Sequence, residues 1–137
     1  MDIGIWSLLH DGKITDLVGG LPGTVTVSVS IPYLSELLST PGDRINVFLS
    51  DCTLFEFHLF HEGSIVRPFD KIVALDLEIL SAELGHDSIE IFCPDGSLLV
   101  RYRSATYSLA DGRSVTLDEI DKASKEYWDN FPPRGKR

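Results

Sequence analysis

From Thr24 to Ile31 the chain alternates without a break: Val25, Val27, Val29 and Ile31 are separated by Thr26, Ser28 and Ser30. Successive side chains on a β-strand point to opposite faces, so a period of two puts four branched aliphatics on one side and the hydroxyls on the other. This segment is therefore predicted to be a strand with an apolar face on a core and a hydroxyl face toward water.

The same period recurs along the chain. Ile45, Val47 and Leu49 alternate with Asn46, Phe48 and Ser50, and Phe55, Phe57 and Leu59 lie opposite Glu56 and His58. Separated only by Ser50-Asp51-Cys52-Thr53, the two runs read as neighbouring antiparallel strands. Val73, Leu75, Leu77 and Ile79 alternate with Ala74, Asp76, Glu78 and Leu80, which predicts a strand with an acidic outer face after an irregular stretch from His61 to Asp70. Lys13 to Val18 reads as a first strand, ended by Gly19-Gly20-Leu21-Pro22-Gly23, and Tyr107 to Leu109 as a short late one.

Ser88 to Cys93 and Ser97 to Arg103 flank Pro94-Asp95-Gly96, a hairpin signal in which proline presets φ and glycine supplies the left-handed position. A connection of three or four residues would bring Glu90 near Arg101 across the pair.

Three segments read as helical. The first is a short one over Ile3 to Leu9 with Asp2 as its cap, and the second a turn or two over Tyr33, Leu34, Leu37 and Leu38 after Pro32. The third carries the clearest signal: Thr116-Leu117-Asp118-Glu119 is a capping box, and Leu117, Ile120, Ala123, Tyr127 and Trp128 form one apolar stripe before Pro132-Pro133 stops it. The expected fold is mainly β in the α+β class. It is an antiparallel six- to seven-stranded curved sheet or partly open barrel with a C-terminal amphipathic helix packed on it. Residues 1–131 form one globular domain and 132–137 a flexible basic tail.

Composition supports a chain that folds without staples: 137 residues, 43% apolar and 24% charged. Charge is uneven. Residues 1–100 carry 4 basic and 15 acidic side chains, whereas 101–137 carry 8 basic and 6 acidic, for a total of −9. Nucleic-acid binding needs Lys and Arg against phosphate, so such a partner is not expected, and an acidic body suits a basic one. No apolar run reaches membrane-spanning length and the start has no positively charged leader, which predicts a cytoplasmic protein with no membrane partner. Cys52 and Cys93 lack zinc-type spacing and read as small buried thiols, with a single disulfide between them left open.

Few residues carry chemistry. Glu56, His58 and His61 are the nearest approach to a metal cluster, but on a strand Glu56 and His58 share a face while His61 falls on the other. His10-Asp11 and His86-Asp87 sit beside glycine in turns. No nucleophile elbow and no phosphate-binding loop is present, so no catalytic residue and no cofactor is assigned. Asp76, Glu78 and Glu90 are the candidate acidic face for a partner, with Arg101 and Arg103 available to pair with it.

Leu9-His10-Asp11-Gly12-Lys13-Ile14, the valine-rich strand leading to Tyr33-Leu34, and Cys52-Thr53-Leu54-Phe55-Glu56-Phe57 together resemble small uncharacterised bacterial β domains, some of them similar to immunity proteins of toxin systems. The resemblance spans less than half the chain and implies a class without transferring site residues. The expectation is a non-catalytic protein-binding module, with an immunity-type inhibitor of a basic partner as the specific case. Two alternatives stand beside it. One is a small-ligand protein or enzyme with a site inside the curved sheet, walled by Phe48, Phe60, Phe92 and Tyr102; the other is a subunit that dimerises through a sheet edge.

Overall fold

The computed structural model describes residues 3–31 and 44–130. The predicted turn at Tyr33 to Leu38, the Asp2 cap, the stop at Pro132-Pro133 and the tail 132–137 lie outside them. Sheet A takes its order from β1 (Lys13–Gly19), β2 (Gly23–Ser30), β3 (Arg44–Cys52), β9 (Ser104–Leu109) and β10 (Ser114–Val115), in that spatial sequence. Sheet B runs β5 (Ile65–Val66), β4 (Leu54–Leu59), β8 (Gly96–Arg101), β7 (Ile89–Cys93), β6 (Ser81–Leu84). Helix α1 spans Gly4–Leu8, α2 spans Phe69–Ala74 and α3 spans Leu117–Asn130. Every strand pair is antiparallel.

Among the described residues two five-stranded sheets therefore replace the single sheet of six or seven strands, and no barrel closes. The reason lies at Asp51 to Thr53. β3 and β4 are not neighbours: β3 pairs with β2 and β9, whereas β4 pairs with β5 and β8. The partner strand turns the same corner at Tyr102 and Arg103, so 44–59 and 96–109 form one long ribbon that belongs to both sheets. Its register runs from Ile45↔Leu109 to Ser50↔Ser104, then resumes one residue displaced at Leu54↔Arg101. Arg103 N–H donates to Ser50 O and Thr53 N–H to Arg101 O across the bend, both at 2.9 Å. Asp51 absorbs it with a left-handed φ of 52°, a conformation that Asp tolerates better than most side chains. Strands that switch sheets through such bends make the corners of packed sheets.

The alternating aliphatics face inward as predicted. Val25, Val27 and Val29 lie opposite Leu49, Val47 and Ile45, and all six are buried. From sheet B come Phe55, Phe57, Ile89, Ile91, Leu98 and Val100, also buried. Each such side chain contributes about 1.5–3 kcal/mol by leaving water. The hydroxyl face of β2 is less wet than its pattern implies: Ser28 is buried and its Oγ donates to Asn46 Oδ1 at 2.8 Å.

The strand expected over Val73 to Leu80 does not form. Phe69, Ile72 and Val73 have helical spacing that overlaps the start of the alternating run, and they make α2 with Pro68 at its N-cap. Ile72 is fully buried, and the Phe69 ring meets Phe55 edge-on at 5.5 Å. Asp76 then takes a left-handed φ of 54°, and 77–79 runs beside the start of β1 through Ile14 N–H to Leu77 O and Ile79 N–H to Gly12 O. β6 begins only at Ser81.

The C-terminal helix starts where the capping box places it. Glu119 N–H donates to Thr116 Oγ1 at 3.1 Å and Thr116 N–H to Glu119 Oε1 at 3.0 Å. Ile120 and Ala123 are buried in the core, and α3 packs against α1. α1 in turn buries Ile5 and Trp6, with the Trp6 Nε1–H donating to Tyr102 Oη at 3.1 Å.

Candidate functional site

The outer face of sheet B gathers the polar side chains that the sequence singled out. Cross-strand registers set one row as Glu56, Leu99, Glu90 and Glu83, and the next as Ile65, His58, Ser97, Phe92 and Ser81. Within the first row, Glu83 on β6 is directly opposite Glu90 on β7. Like charges in that position destabilise a sheet unless something neutralises them. Glu90 accepts a hydrogen bond from Ser97 Oγ at 2.7 Å, and neither carboxylate pairs with a cation among the described residues.

The hairpin register explains why Arg101 is elsewhere. Cys93 pairs with Gly96, so the turn has two residues, Pro94 and Asp95, and Glu90 falls opposite Leu99. The expected Glu90–Arg101 pair is thereby lost. Arg101 instead holds Asp87, through Nη2 to Oδ2 at 3.1 Å and Nε to the main-chain oxygen at 2.9 Å. Arg103 approaches Asp51 at 3.9 Å.

Glu56 and His58 share the strand face that their spacing predicts, and they touch: His58 Nε2–H donates to Glu56 Oε2 at 2.6 Å. Arg67 Nε donates to the other carboxylate oxygen at 3.2 Å. Burial alone would raise the Glu56 carboxyl, but these hydrogen bonds and the Arg67 charge outweigh it and hold the group below its ordinary value. His61 is not part of this cluster. It lies in the turn after β4, beside Glu62 and Asp95 in an open hollow of about 270 Å³. Among the described residues no three His, Cys, Asp or Glu side chains converge as metal ligands.

His58 stands opposite Ser97, with Glu56 behind the imidazole, an order that invites comparison with a serine–histidine–carboxylate relay. The bonds run otherwise. Ser97 Oγ donates to Glu90, His58 is engaged by Glu56, and Ser97 is 2% exposed, out of a substrate's reach.

The remaining acidic candidates are dispersed. Asp76 lies in the turn after α2 and pairs with Lys13 at 3.2 Å, and Glu78 forms an isolated bridge with Lys13. Neither shares a sheet face with Glu90. Glu83, which sequence reasoning overlooked, is the residue that does; the misplaced strand over Val73 to Leu80 hid its position on β6.

Cys52 and Cys93 are free and buried, so no disulfide joins them. Burial raises both thiols, and with Glu78's charge nearby it pushes Cys93 up to about 12. Comparison of the chain with protein-family models, with characterised proteins and with solved structures finds no match.

The four aromatics proposed as pocket walls do not surround one cavity. Phe48 is on the outer face of sheet A, Phe92 on that of sheet B, Phe60 is 54% exposed and Tyr102 is buried under Trp6. An open groove of about 410 Å³ runs along β9 and β10 to the start of α3, past Phe48, Tyr107, Val115 and Leu117. Among the described residues no helix is long and apolar enough to cross a membrane.

Proposed function

We propose that the chain is a non-catalytic protein-binding module whose acidic outer surface takes a basic partner, and that its biological role is that of an immunity-type inhibitor. The observation that carries this reading is the directly opposed Glu83–Glu90 pair, which no cation among the described residues neutralises. An arrangement that costs the free protein stability is accounted for when a bound Lys or Arg neutralises it. The net charge of −9 supports the same polarity of partner.

The test is complex formation with the protein encoded by the adjacent gene, measured by titration calorimetry at low and high salt together with that protein's activity. Binding that weakens as salt rises, falls about tenfold or more in Glu83→Lys, and suppresses the partner's activity is expected. Absence of a complex, or one indifferent to both salt and Glu83→Lys, overturns the reading.

A further inference from the structure

β6 is the outermost strand of sheet B, and among the described residues no strand lies beyond it. Gly85 N–H donates to Ser88 O at 2.7 Å, and Glu83 pairs with Glu90 in the same register. Main-chain groups alternate in direction along a strand, so Ser81, Glu83 and Gly85 address β7 while the N–H and C=O of Ala82 and Leu84 point away from the sheet. Three of the four β6 residues are exposed. Leu84 is 56% exposed and the preceding Leu80 46%. Edge strands are commonly blunted by proline or lysine, and β6, a short strand of four residues with Glu83 as its one charge, carries neither.

We infer that β6 is a strand-addition site for an extended segment of a basic partner in which apolar and basic residues alternate. This rests on the proposed binding of a basic partner and adds where and how that partner docks. The incoming main chain bonds to Ala82 and Leu84. Its period of two sends an apolar side chain over Leu84 on one face and a Lys or Arg against Glu83 and Glu90 on the other. The charge of that face selects the occupant. A second copy using the same main-chain groups would match Ala82 with Leu84 and set Glu83 against Glu83, adding like charge to a face that already carries Glu90.

The test uses the full chain with a short peptide alternating valine and lysine, a valine–glutamate peptide of the same length, and the variants Ala82→Pro and Glu83→Gln. Proline at position 82 removes a donor that faces away from β7, so the β6–β7 ladder is retained. The valine–lysine peptide is expected to bind the wild type, to lose about tenfold or more in affinity to either variant, and to be preferred over the valine–glutamate peptide. Should Ala82→Pro fail to fold, the wild type is titrated with the valine–lysine peptide N-methylated at alternate residues. Binding must then be lost for one of the two methylation patterns and kept for the other.

Undiminished binding to folded Ala82→Pro, equal loss with both methylation patterns, or equal affinity for the acidic peptide overturns the inference. So does a concentration-dependent mass that Ala82→Pro abolishes, which would make the occupant a second copy. If the adjacent gene's product binds in a salt-sensitive manner but binds Ala82→Pro as tightly as wild type, only the docking mode falls. If it does not bind at all, the underlying reading falls with it.

Discussion

At Gly96 the constraint is space. A Cβ there would meet His58 O at 2.2 Å and the Phe57 ring at 2.7 Å, where Gly96 pairs with Leu59 on β4. Gly96→Ala is expected to cost at least about 1–3 kcal/mol, the usual range for overpacking, since main chain rather than a flexible side chain must yield. A urea melt measures it. Glu56 gives a pH signature. Its carboxyl is lowered in the folded chain from an ordinary value of 4.5, so the stabilisation is fully present above that value and disappears as pH falls through the lowered one. Wild type should therefore exceed Glu56→Gln in stability at neutral pH, with the gap closing on acidification below about 4.5. A gap that is constant or widens under acid would contradict the assignment. That Glu56 and His58 share a strand face was legible from alternation, whereas Arg67 was not, because it comes from the loop after β5, eleven residues on.

Among the elements, the amphipathic C-terminal helix was the most legible, since its cap is made by residues three apart in sequence. Thr116→Ala removes the hydroxyl that accepts from Glu119 N–H and should lower stability by about 1 kcal/mol, within the 0.5–2 kcal/mol range of such caps. Thermal melts by circular dichroism would register this, and Thr116→Ser should recover most of it. The segment after Pro68 was misread for a local reason. Its residues satisfy a period of two and a helical period at once, and the conflict is settled by Ile72 and Phe69 finding room against the core and Phe55. Asp76 with its positive φ then breaks the strand that alternation implies.

For the whole molecule, Trp6 ties the N-terminal helix to the corner where β8 passes into β9. Its indole N–H donates to the Tyr102 hydroxyl across 96 positions of sequence, and both residues are buried. Tyr102→Phe keeps the ring and removes the acceptor, leaving a buried donor unpaired at a cost of about 1–3 kcal/mol. Unfolding followed by tryptophan fluorescence should show that loss as a lower midpoint with an unchanged slope. An unaltered midpoint would mean that another group takes the proton. One cluster of buried residues includes side chains from both sheets and from α1, α2 and α3, so damage at this corner should be felt across the described fold.

What the sequence by itself determined is local: which residues face inward on β2, β3 and β4, where the hairpin at Pro94 and the helix at Thr116 begin, and that the body is acidic. Those follow from side-chain periodicity and short-range hydrogen bonds, whose partners are near neighbours in the chain. Tertiary structure decided that β3 and β4 part at Asp51 into different sheets, that Val73 is helical, and that Glu83 stands against Glu90 at an open edge. Each depends on which strand lies alongside which, and a period of two fixes the face of a side chain without fixing its neighbour.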